Sequence, residues 1–199
     1  MNLSARFFRS WHEYVRWKRS TFLTPISHGI PNSALWPPQS LRLRYADTYI
    51  VSTFERDAFC VTADYAFNDQ GTVSLLNSQR NGGVTGPLSN VTGTATPTDE
   101  PGQLGVKFDV QPAFVPPAPY WVVALGPVNT GGLYDYAIVT DNKDLSLFVL
   151  ARDPATFTAQ YDNEVTGFLA TNNFNGTLNS PIPTVQDGCT YPASPFEKA

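Results

Sequence analysis

Histidine is nearly missing from this 199-residue chain, and both copies, His12 and His28, stand before residue 47. The rest of the chain cannot build a Ser/His/Asp or Cys/His nucleophilic set, because each needs an imidazole base. It also lacks the His and Cys clusters that hold zinc and related ions, since it has only Cys60 and Cys189. No catalytic residue, metal site or cofactor is therefore assigned. Charge is scarce at 15%, and beyond residue 46 it is one-sided: six Lys or Arg stand against sixteen Asp or Glu. An acidic body offers no footprint for a phosphate backbone, so nucleic acid is not expected as a partner. No apolar run approaches the roughly 18 residues that would span a membrane. Residues 1–20 also lack the apolar core of a standard secretory signal.

What is present fits a β-rich domain. Hydrophobic residues reach 42% and aromatics 13%, which separates the chain from disordered sequences. Its 17 prolines and 14 glycines cluster between apolar runs, as in an all-β protein with many turns. Seven strands can be read in order: 59–67, 72–77, 91–96, 104–110, 120–125, 134–140 and 145–151. Asn68-Asp69-Gln70-Gly71 between the first two is a hairpin signal. Leu104 to Val110 alternates apolar and polar residues, whereas Tyr120 to Leu125 is apolar on both faces. One helix follows, with Asp153 as N-cap and Pro154 in its first turn. Its apolar stripe is Phe157, Tyr161, Val165, Phe168 and Leu169, which must lie against another surface. Ile182 to Val185 reads as a short edge strand, restricted by Pro183. Asp135, Asp141, Asp144 and Asp153 fall at turns or outward positions, where solvated surface is the usual reading.

The N-terminal region has a different character. Seven of the 13 basic residues lie within residues 1–46, with Glu13 as the one acid there. Residues 1–44 read as a basic, disordered extension; a transit-like segment or a surface amphipathic helix remain alternatives. Cys60 and Cys189 fit either two buried thiols or one disulfide. The sequons at Asn2, Asn90 and Asn175 weigh weakly toward secretion, with Asn90 and Asn175 as glycosylation candidates in the body.

Six blocks, in order, resemble the lipocalin family, and within it the apolipoprotein D branch. Cys60-Val61-Thr62-Ala63-Asp64-Tyr65 with Asp69-Gln70-Gly71-Thr72-Val73 resembles the family's second and third strands. Gly93-Thr94-Ala95 with Leu104-Gly105-Val106-Lys107-Phe108 resembles the next hairpin, and Ala118-Pro119-Tyr120-Trp121-Val122 the sixth strand. Tyr134-Asp135-Tyr136-Ala137-Ile138-Val139, Leu150-Ala151-Arg152-Asp153-Pro154, and Pro181-Ile182-Pro183-Thr184 before Cys189 complete the match over about residues 45–191.

The resemblance implies an all-β fold: an eight-stranded antiparallel up-and-down barrel with one C-terminal helix packed outside. Residues 192–199 would be a tail. It implies a Cys60–Cys189 disulfide, secretion, and a monomeric carrier of one small hydrophobic molecule such as a fatty acid, sterol, retinoid or pigment. Phe148 matches a cavity position; Tyr65, Trp121 and Tyr136 are further ligand-binding candidates. Arg152 and Tyr49 would be structural, with Tyr49 in place of the family's first-strand Trp and Asp47 in place of its Gly. That departure, and a short 49–60 segment, imply a truncated first strand and an exposed sheet edge. By strand order the proline-rich loop 111–119 sits at the barrel mouth, where Phe114 and Val115 either contact a lipid surface or carrier particle or fold back onto a rigid loop. An enzyme acting on lipid in the same barrel, or a protein-binding module without cargo, are the other function classes.

Overall fold

The computed structural model describes residues 41–45, 58–176, 180 and 182–196. Eight strands close into one antiparallel barrel in sequence order. They are β1 (Leu41–Tyr45), β2 (Ala58–Phe67), β3 (Val73–Asn81), β4 (Leu88–Pro97), β5 (Gln103–Phe108), β6 (Ala118–Leu125), β7 (Tyr136–Thr140) and β8 (Leu147–Ala151). The β2–β3 hairpin turns where the sequence predicts it. Asn68 accepts the amides of Gln70 and Thr72, and Gly71 takes φ +77°, which a side chain would resist.

The first strand corrects two expectations. β1 pairs with β2 through Leu41↔Tyr65 to Arg44↔Thr62, and with β8 through Arg44↔Ala151 and Tyr45↔Leu150. The barrel therefore has no open edge at this seam, and residues 41–44 belong to the barrel rather than to an extension. Leu41-Arg42-Leu43-Arg44-Tyr45 alternates apolar and basic residues, a strand pattern hidden behind the preceding prolines. Asp47 and Tyr49 lie outside the described residues, as do residues 1–40.

Two cores form, one on each side of the sheet, because successive strand residues point to opposite faces. The inner core holds Val61, Ala63, Tyr65, Val73, Leu75, Ala95, Leu104, Val106, Ala137, Val139 and Leu150. The outer core joins Ala124, Tyr136, Ile138, Leu147, Val149 and Ala151 to the helical segment. That segment is two helices, α1 (Pro154–Gln160) and α2 (Asp162–Thr171), broken at Tyr161. Asp153 caps α1 by accepting the Thr156 amide at 2.7 Å. Phe157, Val165, Phe168 and Leu169 are buried against the barrel wall, as their spacing requires, and Tyr161 is half-buried. At Gly126 an added Cβ would stand 2.5 Å from the Tyr136 ring, so the close approach of strand end and ring needs glycine there.

The tail returns to the start of β2. Cys60 and Cys189 are bridged, with Cα atoms 5.4 Å apart. The expected edge strand at 182–185 reduces to one parallel bridge, Phe59↔Val185, supported by the Cys60 amide donating to Val185 O at 3.0 Å. Cys60 itself takes φ +54° at a bulge in β2, between the pairs Phe59↔Arg80 and Thr62↔Ser78.

Candidate ligand-binding site

The barrel ends differ. At one end Leu125 and Leu133 pack against the inner core, and Arg152 Nε donates to Tyr134 O at 2.7 Å. Burial holds the Arg152 guanidinium below its ordinary range, opposed by the charge of Asp135. Asp135 in turn accepts from Tyr161 Oη at 2.8 Å and Asn129 Nδ2 at 2.9 Å, so this carboxylate is a structural tie between the loop and the helices. Asp141 is likewise a turn former, accepting the amides of Lys143, Leu145 and Ser146.

The other end carries loops 82–87, 109–117 and 141–146. Near it, Phe108, Tyr120 and Phe148 point inward yet remain only partly buried. Toward the plugged end, inner residues such as Val73, Leu75, Ala95 and Leu104 are fully buried. The interior is therefore sealed toward the first end and partly exposed at the 109–117 side, the mouth of a candidate cup.

Tyr65 and Tyr120 meet across this cup. Their strands, β2 and β6, are opposite walls of the ring, and their hydroxyls lie 2.9 Å apart. Burial pushes the Tyr65 phenol up to about 12, with the Tyr120 hydrogen bond acting against the shift and Asp64 adding to it. Tyr65 is therefore un-ionised at neutral pH. Asn77 stands at the inward register opposite Ala63 and Val91, and its buried Oδ1 has no hydrogen-bond partner. Gln79 and Ser89 share this inward parity nearer the strand ends, and below them the inner cluster is apolar.

Of the four candidates for the cavity, Phe148 and Tyr65 take inner positions. Trp121 and Tyr136 do not. Trp121 pairs with Gln103 and Thr140, on the outward side of β5, β6 and β7, while its neighbour Tyr120 pairs with Leu104 and faces in. A six-residue run apolar on both faces gives no phase, so only the register between strands decides that Tyr120 rather than Trp121 faces in. Tyr136 belongs to the outer core, with its ring edge-on to Phe157 at 5.8 Å and its hydroxyl 3.4 Å from Glu164. Tyr120 and Asn77 are the inner residues that the sequence reading missed. Extending the Leu104-Val106-Phe108 and Val73-Leu75 alternations by register would have found both. Asn90 and Asn175 are both exposed. Phe114 is 86% exposed, whereas Val115 is half-buried. Among the described residues no group of three or more His, Cys, Asp or Glu is placed to hold a metal ion.

A lipocalin-like domain model matches residues 48–172, more than half of the chain. The chain belongs to the lipocalin family. This lipocalin is similar to apolipoprotein D of Bos taurus, at 34% identity over 84 residues, and of Macaca fascicularis, at 34% over 87. The match spans 41% and 43% of each protein respectively, so less than half of either relative is aligned. Among solved structures it is similar to H1 crustacyanin from the lobster Homarus americanus, with TM-score 0.53 and 15% identity over 80% of this chain and 87% of that one. Apocrustacyanin C2 gives TM-score 0.53 and 18% identity, covering 79% of each chain. At these identities the structural likeness establishes the lipocalin fold alone.

Proposed function

We propose that this lipocalin binds and carries one small hydrophobic molecule in its barrel, as an extracellular monomer. The observation that carries the reading is the inner wall, which among the described residues is apolar toward the floor and lined near the mouth by the partly buried Phe108, Tyr120 and Phe148. Burial of apolar ligand surface would supply the affinity, at roughly 25 cal/mol per Å². Tyr65, Tyr120 and Asn77 would orient the cargo by neutral hydrogen bonds, which favours a hydroxyl or carbonyl over a carboxylate. The barrel binds without turnover: among the described residues no inward side chain is a nucleophile with a base beside it.

Titration with retinol, followed by quenching of protein fluorescence, tests this. Tyr65→Phe combined with Tyr120→Phe should weaken retinol binding by about three- to tenfold, the worth of one hydrogen bond, while leaving an apolar probe unaffected. If no retinoid, sterol or fatty acid displaces a bound fluorescent probe, and no lipid co-purifies, carriage is wrong and a protein-binding module takes its place. Secretion is supported by the Cys60–Cys189 bridge and by the exposed sequon asparagines Asn90 and Asn175. Protein recovered from the medium of expressing cells should lose mass on enzymatic removal of N-glycans; an unchanged mass would rule out glycosylation.

The mouth loop would contact a lipid surface during loading. Besides Phe114 at 86% exposure, Val110 (79%), Leu145 (57%) and Leu88 (43%) are exposed apolar side chains in or beside the loops of the same end. Apolar residues gathered at the entrance of an apolar cup are suited to a surface from which cargo is drawn.

A further inference from the structure

The exposure of Phe114 is built into the fold, and one side chain does most of the building. Lys107 lies on β5 between Val106 and Phe108, which belong to or pack on the inner core, so it projects outward. Its Nζ donates to Ala113 O and to Val115 O, both at 2.9 Å. Those carbonyls flank Phe114 on either side. An ammonium has three donors and no acceptor, so it gathers backbone carbonyls without competing for amides. Each contact is a charge-assisted hydrogen bond, stronger than a neutral one.

The rest of the loop is tied in the same sense. The Phe108 amide donates to Gln111 Oε1, and the Gln111 amide to Phe108 O. The Asp109 amide donates to Thr92 O, and the Val115 amide to Pro112 O. Pro112, Pro116 and Pro117 restrict the remaining backbone. The phenyl ring is 86% exposed, and the backbone on both sides of it is tied. With both flanking carbonyls held, the Cα–Cβ bond of Phe114 keeps its outward direction for as long as the Lys107 contacts last.

The geometry points to Lys107 as the positioning residue that holds the mouth loop with Phe114 presented to a lipid surface. This rests on the docking reading above and adds to it the residue that sets the presentation. The chemistry of the surface follows from charge. The described loops of this end carry Asp109, Asp141 and Asp144 against Lys143, and Lys107 is spent on carbonyls. Attraction to anionic headgroups is therefore not the driving force; the loop fits a neutral or zwitterionic surface.

Full-length protein with phosphatidylcholine vesicles provides the test. Lys107→Met, which removes every donor, should cut vesicle partitioning about tenfold, roughly to the level of Phe114→Ser, as expected for the loss of hydrogen bonds from a charged donor. Amide exchange across 113–116 should speed up by a similar factor. The midpoint of thermal unfolding and retinol affinity should stay near wild type, and Lys107→Arg, which keeps a forked donor, should restore partitioning. Added salt should leave partitioning unchanged. Wild-type binding that Phe114→Ser abolishes but Lys107→Met does not, or exchange rates unmoved by Lys107→Met, would overturn the role of Lys107 alone. Wild-type protein that stays off the vesicles overturns the docking reading itself, and the inference with it.

Discussion

Replacing Cys60 and Cys189 together with serine should lower stability by about 3–5 kcal/mol. The bridge spans 129 residues, and chain entropy alone gives about 4–5 kcal/mol for closing a loop of that length. Part of that gain is offset in the native state. Cys60 holds φ +54°, a left-handed conformation costing a non-glycine residue about 1–2 kcal/mol, and a serine variant whose backbone relaxes recovers some of it. Once the bridge is cut, the tail keeps the Cys60 amide to Val185 O bond, Gln186 Nε2 to Val61 O at 3.1 Å, and Arg80 to Thr190 O at 3.3 Å. Each is worth about 1 kcal/mol net, so the tail should come away before the barrel opens. Urea unfolding followed by both fluorescence and amide exchange measures the two events. A double serine variant within about 1 kcal/mol of wild type would mean that tail packing, rather than the covalent link, closes the loop.

The second large effect is expected at Phe157. It is fully buried at 2% exposure between α1 and the outer wall, in ring contact with Tyr136 and Tyr161. Phe157→Ala should cost about 3–5 kcal/mol, because a large aromatic is lost from a site closed on the barrel side by Tyr136 and Ile138. The loss falls on the outer core. Retinol affinity of the folded variant should therefore stay within about twofold of wild type, since sites without shared partners add independently. Phe148→Ala should show the opposite pattern, with affinity reduced more than stability, because Phe148 is inward and only partly buried. Denaturation midpoints and binding isotherms on the two variants separate the cores; equal effects of both substitutions on affinity would refute the division.

Several elements were legible before the structure because a local pattern forced them. The β2–β3 turn needed Asn68 and a glycine at positive φ, and both stand in the sequence. The helical stripe at Phe157, Val165, Phe168 and Leu169 could be buried on one face only. Inner and outer assignments were legible where apolar and polar residues alternate, as at Leu104, Val106 and Phe108. They failed at β6 and β7, where both faces are apolar because one lines the cup and the other supports the helices. In β6 the phase also slips between Val122 and Ala124, where the register shifts, and no residue type there announces it.

Taken alone, the sequence determined that the chain forms a turn-rich β-domain, that residues 47–199 hold no histidine, and that the helical stripe must lie against another surface. It could do so because periodicity, turn residues and composition are local or global sums that need no partner. Tertiary structure decided the rest. Leu41–Tyr45 became a barrel strand because its backbone groups find partners on both β2 and β8. Trp121 and Tyr136 were turned outward, and Tyr120 inward onto Tyr65, by register between strands distant in sequence. Phe114 is displayed because Lys107, on the preceding strand, holds the carbonyls on either side of it. Each of these depends on which backbone lies next to which, and only closure of the barrel sets that.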